Sequence, residues 1–251
     1  KDTVLTASGS NGAAVFIGQD ADAKYTLNVY GKVIRESKSF AISGNGSYKG
    51  TTTINIYDGA EVKSASVAIY HPQAGVINVN GGLVEGYCAI GIKSGSLNIK
   101  GGTVRGTADD HILDDSDSTS GTIIYDGSAI VVDSHTGYKG DVNIKISGSA
   151  FIQSRCSTGI REIGNDAGKT NVKGLSISGG TVLSGGGKDA VQVREVTKNN
   201  VSITGGSFST DVAAYCATGY QCNVPTADEP LYTVTKKDAD EIDVKRSLTL
   251  D

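Results

Sequence analysis

One short pattern recurs along the chain, an apolar–polar–apolar run that ends in a glycine-containing corner. It reads LNVYGKV at 27–33, INIYDGAEV at 54–62, INVNGGLV at 77–84, LNIKGGTV at 97–104, LSISGGTV at 175–182 and VSITGGSF at 201–208. A seventh copy, VNIKISGSAF at 142–151, is slipped by one residue. With Asn28, Asn55, Asn78 and Asn98 taken as equivalent, the copies lie 27, 23 and 20 residues apart, about one solenoid coil each. Alternation places Leu27 and Val29, or Ile54 and Ile56, on one side of a strand and Asn28 or Asn55 on the other, so one side faces a core.

Strands that recur in one orientation with no helical stretch between them can pair only coil upon coil, as parallel ladders about 4.8 Å apart. The Gly-Gly or Asp-Gly corner supplies positive φ where the chain turns to its next face. A third strand follows in each coil: VAIYH at 67–71, AIGIK at 89–93, AIVVD at 129–133, STGIR at 157–161 and AVQVR at 190–194. An antiparallel sandwich would need two-residue hairpin turns, and a propeller a regular period near 40, and neither fits as well. The expected fold is therefore all-β, a right-handed single-stranded parallel β-helix with irregular end caps. Residues 1–24 form an N-terminal cap or first coil, 25–222 the coils with an insertion at 108–122, and 223–251 a β-hairpin cap or the beginning of another module. Ile54, Ile56, Ile77, Val79, Leu97, Ile99, Leu175, Ile177, Val201 and Ile203 are expected to form one continuous core column.

Composition narrows the function classes. Glycine is 34 of 251 residues, proline only 3, and Met and Trp are absent, which suits a chain of many turns and few helices. The net charge of −4, with both signs interspersed, leaves no basic footprint for nucleic acid or an anionic membrane. No apolar run approaches the ~18 residues of a membrane span. The start at Lys1, without Met, reads as a processed protein or an excised domain.

Strings such as TINIYDGAEVKSASVAIYHPQAG, INVNGGLVEG, LNIKGGTVRGT and VSITGGSFSTDVAAYCATGY resemble the pectate-lyase-like β-helix repeats of large extracellular proteins of Gram-positive bacteria. The resemblance covers most of 25–235. It implies a secreted or cell-surface location beside other modules of the same large protein. It implies no activity, because that fold carries polysaccharide lyases, hydrolases, phage tailspikes and adhesins alike, and no lyase motif transfers residue by residue.

Four features bear on chemistry. The insertion ADDHILDDSDSTSGT at 108–122 gathers Asp109, Asp110, Asp114, Asp115 and Asp117, carboxylates that repel unless solvent or a cation screens them. A solvated acidic loop and a calcium site are both open, calcium being the one cofactor the sequence suggests. Aligning the third strands on Ile69, Ile90, Ile130, Thr158 and Val191 gives an outward column of Pro72, Lys93, Asp133, Arg161 and Arg194, with Glu162 and Glu195 after the arginines and His135 near Asp133. That strip reads either as a cross-strand ion-pair ladder or as a saccharide groove. Were it catalytic, Asp133, Arg161, Glu162 and Arg194 would supply a lyase's base and cation site or a hydrolase's paired carboxylates. Outward Asn28, Asn55, Asn78, Asn98 and Asn143 form an amide ladder. Tyr70 and Tyr87 are the aromatics best placed to stack on sugar, while His71 falls inward at a corner.

The cysteines hint at compartment. Cys216 and Cys222 bracket ATGYQ and are expected to close a small disulfide loop. Cys88 and Cys156 align in one inward column but two coils, about 10 Å, apart, beyond the ~7 Å limit for a bridge, so both are expected free and buried. The leading functional expectation is a non-catalytic adhesin or recognition module, its partner a glycan or a host surface protein. A polysaccharide lyase or glycoside hydrolase and a purely structural spacer are the alternatives.

Overall fold

Period-two alternation of β-branched residues gives short strands, and each coil of the protein contributes them to three faces. The computed structural model describes residues 3–9, 12–18, 22–46, 50–110, 126–134 and 140–238. The first face stacks Lys24–Val29, Thr51–Ile56, Gly75–Val79, Gly95–Ile99, Val142–Ile146, the start of Val172–Leu183, and Val201–Phe208. The second stacks Val4–Ala7, Lys32–Arg35, Glu61–Ser64, Leu83–Gly86, Thr103–Gly106, Phe151–Ser154 and the end of Val172–Leu183. The third runs through Val15–Phe16, Ile42–Ser43, Val67–His71, Cys88–Ile92, Ile130–Asp133, Ile160–Ile163 and Val191–Gln192. All these pairings are parallel, and because Val172–Leu183 runs through a corner the first two faces count as one sheet. The chain is a right-handed parallel β-helix.

The first-face core column is as expected. Leu27, Ile54, Ile77, Leu97, Ile144, Leu175 and Val201 lie in register, as do Val29, Ile56, Val79, Ile99, Ile146, Ile177 and Ile203. All but Leu27 are buried, and each buried side chain of this size contributes roughly 1.5–3 kcal/mol. Ile144 and Ile146 bring the slipped seventh copy into the column. That register sets Lys145 beside Asn98 and Asn143 beside Ser96, so Asn143 is outside the amide ladder. The corners stack glycine over glycine: Gly82 and Gly102 have φ of 72° and 75°. A Cβ on either would sit 2.5 Å from the backbone of the coil below, so both the sign of φ and the close approach demand glycine.

On the third face the register departs from expectation. Ile42, Ile69, Ile90, Ile130, Ile160 and Val191 share the inward column, so Ile160 takes the place expected for Thr158. Arg161 consequently lies beside Val131 and Gln192 rather than beside Asp133. The column of Pro72, Lys93 and Asp133 continues through Ile163 and, two residues past Gln192, to Arg194. The same shift moves Cys156 out of the Cys88 column and leaves it half-buried.

Past the last parallel strand the geometry changes. Tyr232–Lys236 pairs antiparallel with both Val201–Phe208 and Tyr220–Asn223, closing the C-terminal end of the stack. Among the described residues no helix is long and apolar enough to cross a membrane.

Candidate functional site

The polar residues singled out on the third face are mostly buried in internal pairs. Lys93 Nζ lies 2.9 Å from Asp133 Oδ2 with both side chains wholly shielded from solvent. The same ammonium stands 5.8 Å above the Tyr70 ring, and Tyr70 in turn stacks on Phe40 with ring centroids 4.8 Å apart. Of the two readings of this strip, an ion-pair ladder or a saccharide groove, Lys93 and Asp133 form one rung of the ladder across adjacent coils. Alternation does turn these side chains away from the core, but this outer side is covered: Val67, Cys88, Val131 and Ile163 form a second buried apolar cluster, with Phe40, Tyr70 and Tyr87 packed against it. Lys93, Asp133 and Tyr70 are thus taken up in packing and pairing and offer no open strip to a ligand.

Arg161 is 5% exposed and donates from Nη1 to Asp126 Oδ2 at 2.7 Å. Asp126 is the hub of this region. Its Oδ2 also accepts from Ser128 Oγ at 2.7 Å and Ser157 Oγ at 3.4 Å, and its Oδ1 accepts the Ser128 N–H at 2.9 Å. Cys88 Sγ lies 3.8 Å from Oδ1, and burial, followed by the Asp126 charge, pushes that thiol well above its ordinary range. Asp126, Ser128 and Ser157 were not singled out from sequence. The signal was there in Asp126-Gly127-Ser128, since Asp bonding to the N–H two residues on is an Asx turn.

Glu162 lies on the inward side, in the corner column of His71, Ile92 and Val132. It accepts from Ser134 Oγ at 2.6 Å, Thr170 Oγ1 at 2.7 Å and the Arg194 N–H at 3.1 Å. The Arg194 guanidinium donates to the carbonyls of Lys169, at 2.6 Å, and Asp166. Arg161, Glu162 and Arg194 do line one polar cleft of about 250 Å³. Asp133 does not share it as a partner to Glu162, because alternation puts the two carboxylates on opposite sides of the sheet. The carboxylate pair that a hydrolase would need from Asp133 and Glu162 is therefore not assembled. His71 is the structural histidine its position suggested: its ring bonds Thr52 Oγ1 at 2.8 Å and the Ser94 carbonyl at 2.9 Å, and burial lowers its pKa to about 4.

At the insertion, Asp109 pairs with Arg155 at 2.7 Å and Asp110 accepts from the Tyr87 hydroxyl at 2.9 Å, so these two aspartates serve different partners. Tyr87 is half-buried, and burial, then Asp110, raises its pKa. Asp114, Asp115, Asp117 and His135 lie outside the described residues. No cluster of three or more His, Cys, Asp or Glu suited to a metal occurs among the described residues. Cys216 and Cys222 are unbridged in this structure, and the expected disulfide between them is left to experiment. Both are half-buried, and burial raises the pKa of each. Counting thiols in denaturant without reductant separates four free groups from two plus a bridge.

The ladders open to solvent lie on the other two faces. On the first, Asn55, Asn78 and Asn98 each donate Nδ2–H to Oδ1 of the preceding asparagine at 2.8, 2.8 and 2.9 Å. On the second, an outward column of Lys63, Glu85, Arg105 and Gln153 carries the alternating charges expected on the third, with Lys63–Glu85 at 3.9 Å and Arg105–Glu85 at 3.1 Å. Glu85, Arg105, Gln153, Arg155 and Ser184 line a groove of about 410 Å³ beside it. Comparison with protein families, curated proteins and solved structures finds no match.

Proposed function

We propose that this chain is a non-catalytic recognition module, an adhesin displayed outside a bacterial cell on a rigid β-helix, with a glycan as its ligand. One contrast carries the reading. The charged groups that chemistry would require are consumed in internal bonds, Lys93 with Asp133, Arg161 with Asp126, and Glu162 with three donors, whereas the coil-spaced polar columns of the first and second faces are presented to solvent. Repetition at coil spacing suits a repetitive ligand. The gathering of Arg161, Glu162 and Arg194 at one cleft is what favours the second reading, a lyase or hydrolase acting on acidic polysaccharide. A glycan array run beside reducing-end and unsaturated-product assays on pectin, alginate and glycosaminoglycans tests both. Retention of a glycan without product is the expected result. Product formation that Glu162→Gln abolishes would establish the enzyme instead, and neither binding nor product would leave a spacer.

A further inference from the structure

Along the outward column of the second face the charges alternate from coil to coil through Lys63, Glu85 and Arg105, and then the alternation stops. Where continued alternation would put a carboxylate beside Arg105, the next coil places Gln153. Arg105 therefore has an anion on one side only. Its Nη1 donates to Glu85 Oε2 at 3.1 Å, and Glu85 is shared with Lys63. Among the described residues, Arg105 Nε and Nη2 and the whole Gln153 side-chain amide bond to nothing. Two residues past Gln153, Arg155 stands on the same outward side. The ladder continues through its N–H to the Gly106 carbonyl, and Ser154 between them is buried. Its contact with Asp109 joins side chains 66% and 77% exposed, an ion pair that contributes little and exchanges readily. Glu85, Arg105, Gln153 and Arg155 line the groove of about 410 Å³, which lies within the size range of small-ligand sites. Coils stack on both sides of it, Glu61–Ser64 and Lys32–Arg35 toward one end and Val172–Leu183 and Val201–Phe208 toward the other.

A guanidinium half unpaired, a second one held only by an exposed contact and an unused amide, all on one side of one sheet, together define the ligand. We infer that this groove binds an anionic saccharide through a carboxylate or sulfate on a sugar ring, which names the ligand class of the recognition module proposed above and rests on that reading. The oxyanion takes the place beside Arg105 that the alternation leaves without a negative charge. There it accepts from Nε–H and Nη2–H together, the paired geometry in which a guanidinium meets an oxyanion. Gln153, about 4.8 Å away at coil spacing, donates to or accepts from the ring hydroxyls. Arg155, a further 6–7 Å or so along the strand, exchanges Asp109 for the same ring or the next. A neutral sugar would leave Arg105 as one-sided as it is in the free protein.

The test is calorimetric titration of the whole chain with four probes: tetragalacturonate, sulfated cellotetraose, unmodified cellotetraose and inorganic sulfate. Heat is expected with an anionic oligosaccharide, diminishing as salt is added, and the tighter of the two assigns the group as carboxylate or sulfate. Cellotetraose and inorganic sulfate should give none at the same concentrations. Gln153→Glu supplies the missing carboxylate from within the protein and should weaken binding about tenfold, as should Arg155→Gln. Both variants should keep the parent's thermal midpoint within a few degrees. The inference is overturned if cellotetraose binds as tightly as its sulfated form, if inorganic sulfate does so, or if Gln153→Glu binds as well as the parent. Glycans retained on the array and undiminished by Gln153→Glu would defeat this groove while leaving the recognition reading intact. Retention of no glycan at all would defeat both.

Discussion

The first and third faces are built from the same alternating strands and differ in what lies on their outer side. Outside the first face, Asn55, Asn78 and Asn98 bond to one another and still meet water. Outside the third, Lys93, Asp133 and Arg161 have almost no water to meet. A polar group at a wet surface can exchange one partner for solvent at small cost, while a charge in a covered layer must be paired within the protein. Identical strand chemistry therefore produces a tolerant surface on one face and an exacting one on the other.

The sharpest way to break this comparison is to unpair the buried ions. Lys93→Met leaves Asp133 buried beside an apolar side chain and should cost about 3–5 kcal/mol in urea unfolding. The double variant Lys93→Met/Asp133→Leu should recover most of that loss. Equal stability of the single and double variants would show that the pair is not what holds this layer.

A somewhat smaller effect is expected from His71, which extends the contrast to pH. Its folded pKa, about 4, lies below the ordinary 6.5, so between those values the unfolded chain binds the extra proton. Stability is then full above pH 6.5 and falls as pH drops toward 4, by about 3 kcal/mol in all. In His71→Asn, which takes up no proton, this component of the slope should vanish, as thermal unfolding at pH 7, 5.5 and 4 would reveal.

On the first face the effects shrink. Asn78→Ala interrupts the amide ladder on both sides and should cost about 1 kcal/mol, whereas Asn143→Ala, one register outside it, should cost under about 0.5 kcal/mol. Equal losses at the two positions would mean that the ladder contributes nothing beyond ordinary polar contacts. Smallest of all, Glu85→Gln in the second-face column should change stability by no more than about 0.5 kcal/mol, an effect that fades with added salt.

Much of this was legible in the chain because side-chain period and corner chemistry are local. Ile54, Ile77, Leu97, Leu175 and Val201 alternate with polar residues, and such a strand can bury only one side. The third-face register was not legible. In SRCSTGIREI both Thr158 and Ile160 satisfy the alternation, since positions two apart share a side, and only the ladder through Ile130 and Val191 selects Ile160. The slipped copy at 142–151 failed for the same reason, with Lys145 rather than Asn143 following Asn98.

The sequence by itself determined the coil, its inward columns and its glycine corners, because these depend on residues within one or two strands of each other. Only the tertiary structure decided which outward columns remain outside. Period two says which way a side chain points and nothing about what is stacked upon it. Lys93 and Asp133 read as surface charges until a second apolar layer, brought together from Phe40, Val67, Tyr87, Val131 and Ile163, accounts for the covered side of their sheet. Tyr30 and Tyr57, 27 residues apart in the chain like the asparagines beside them, become one stacked pair only when coils close at strand spacing.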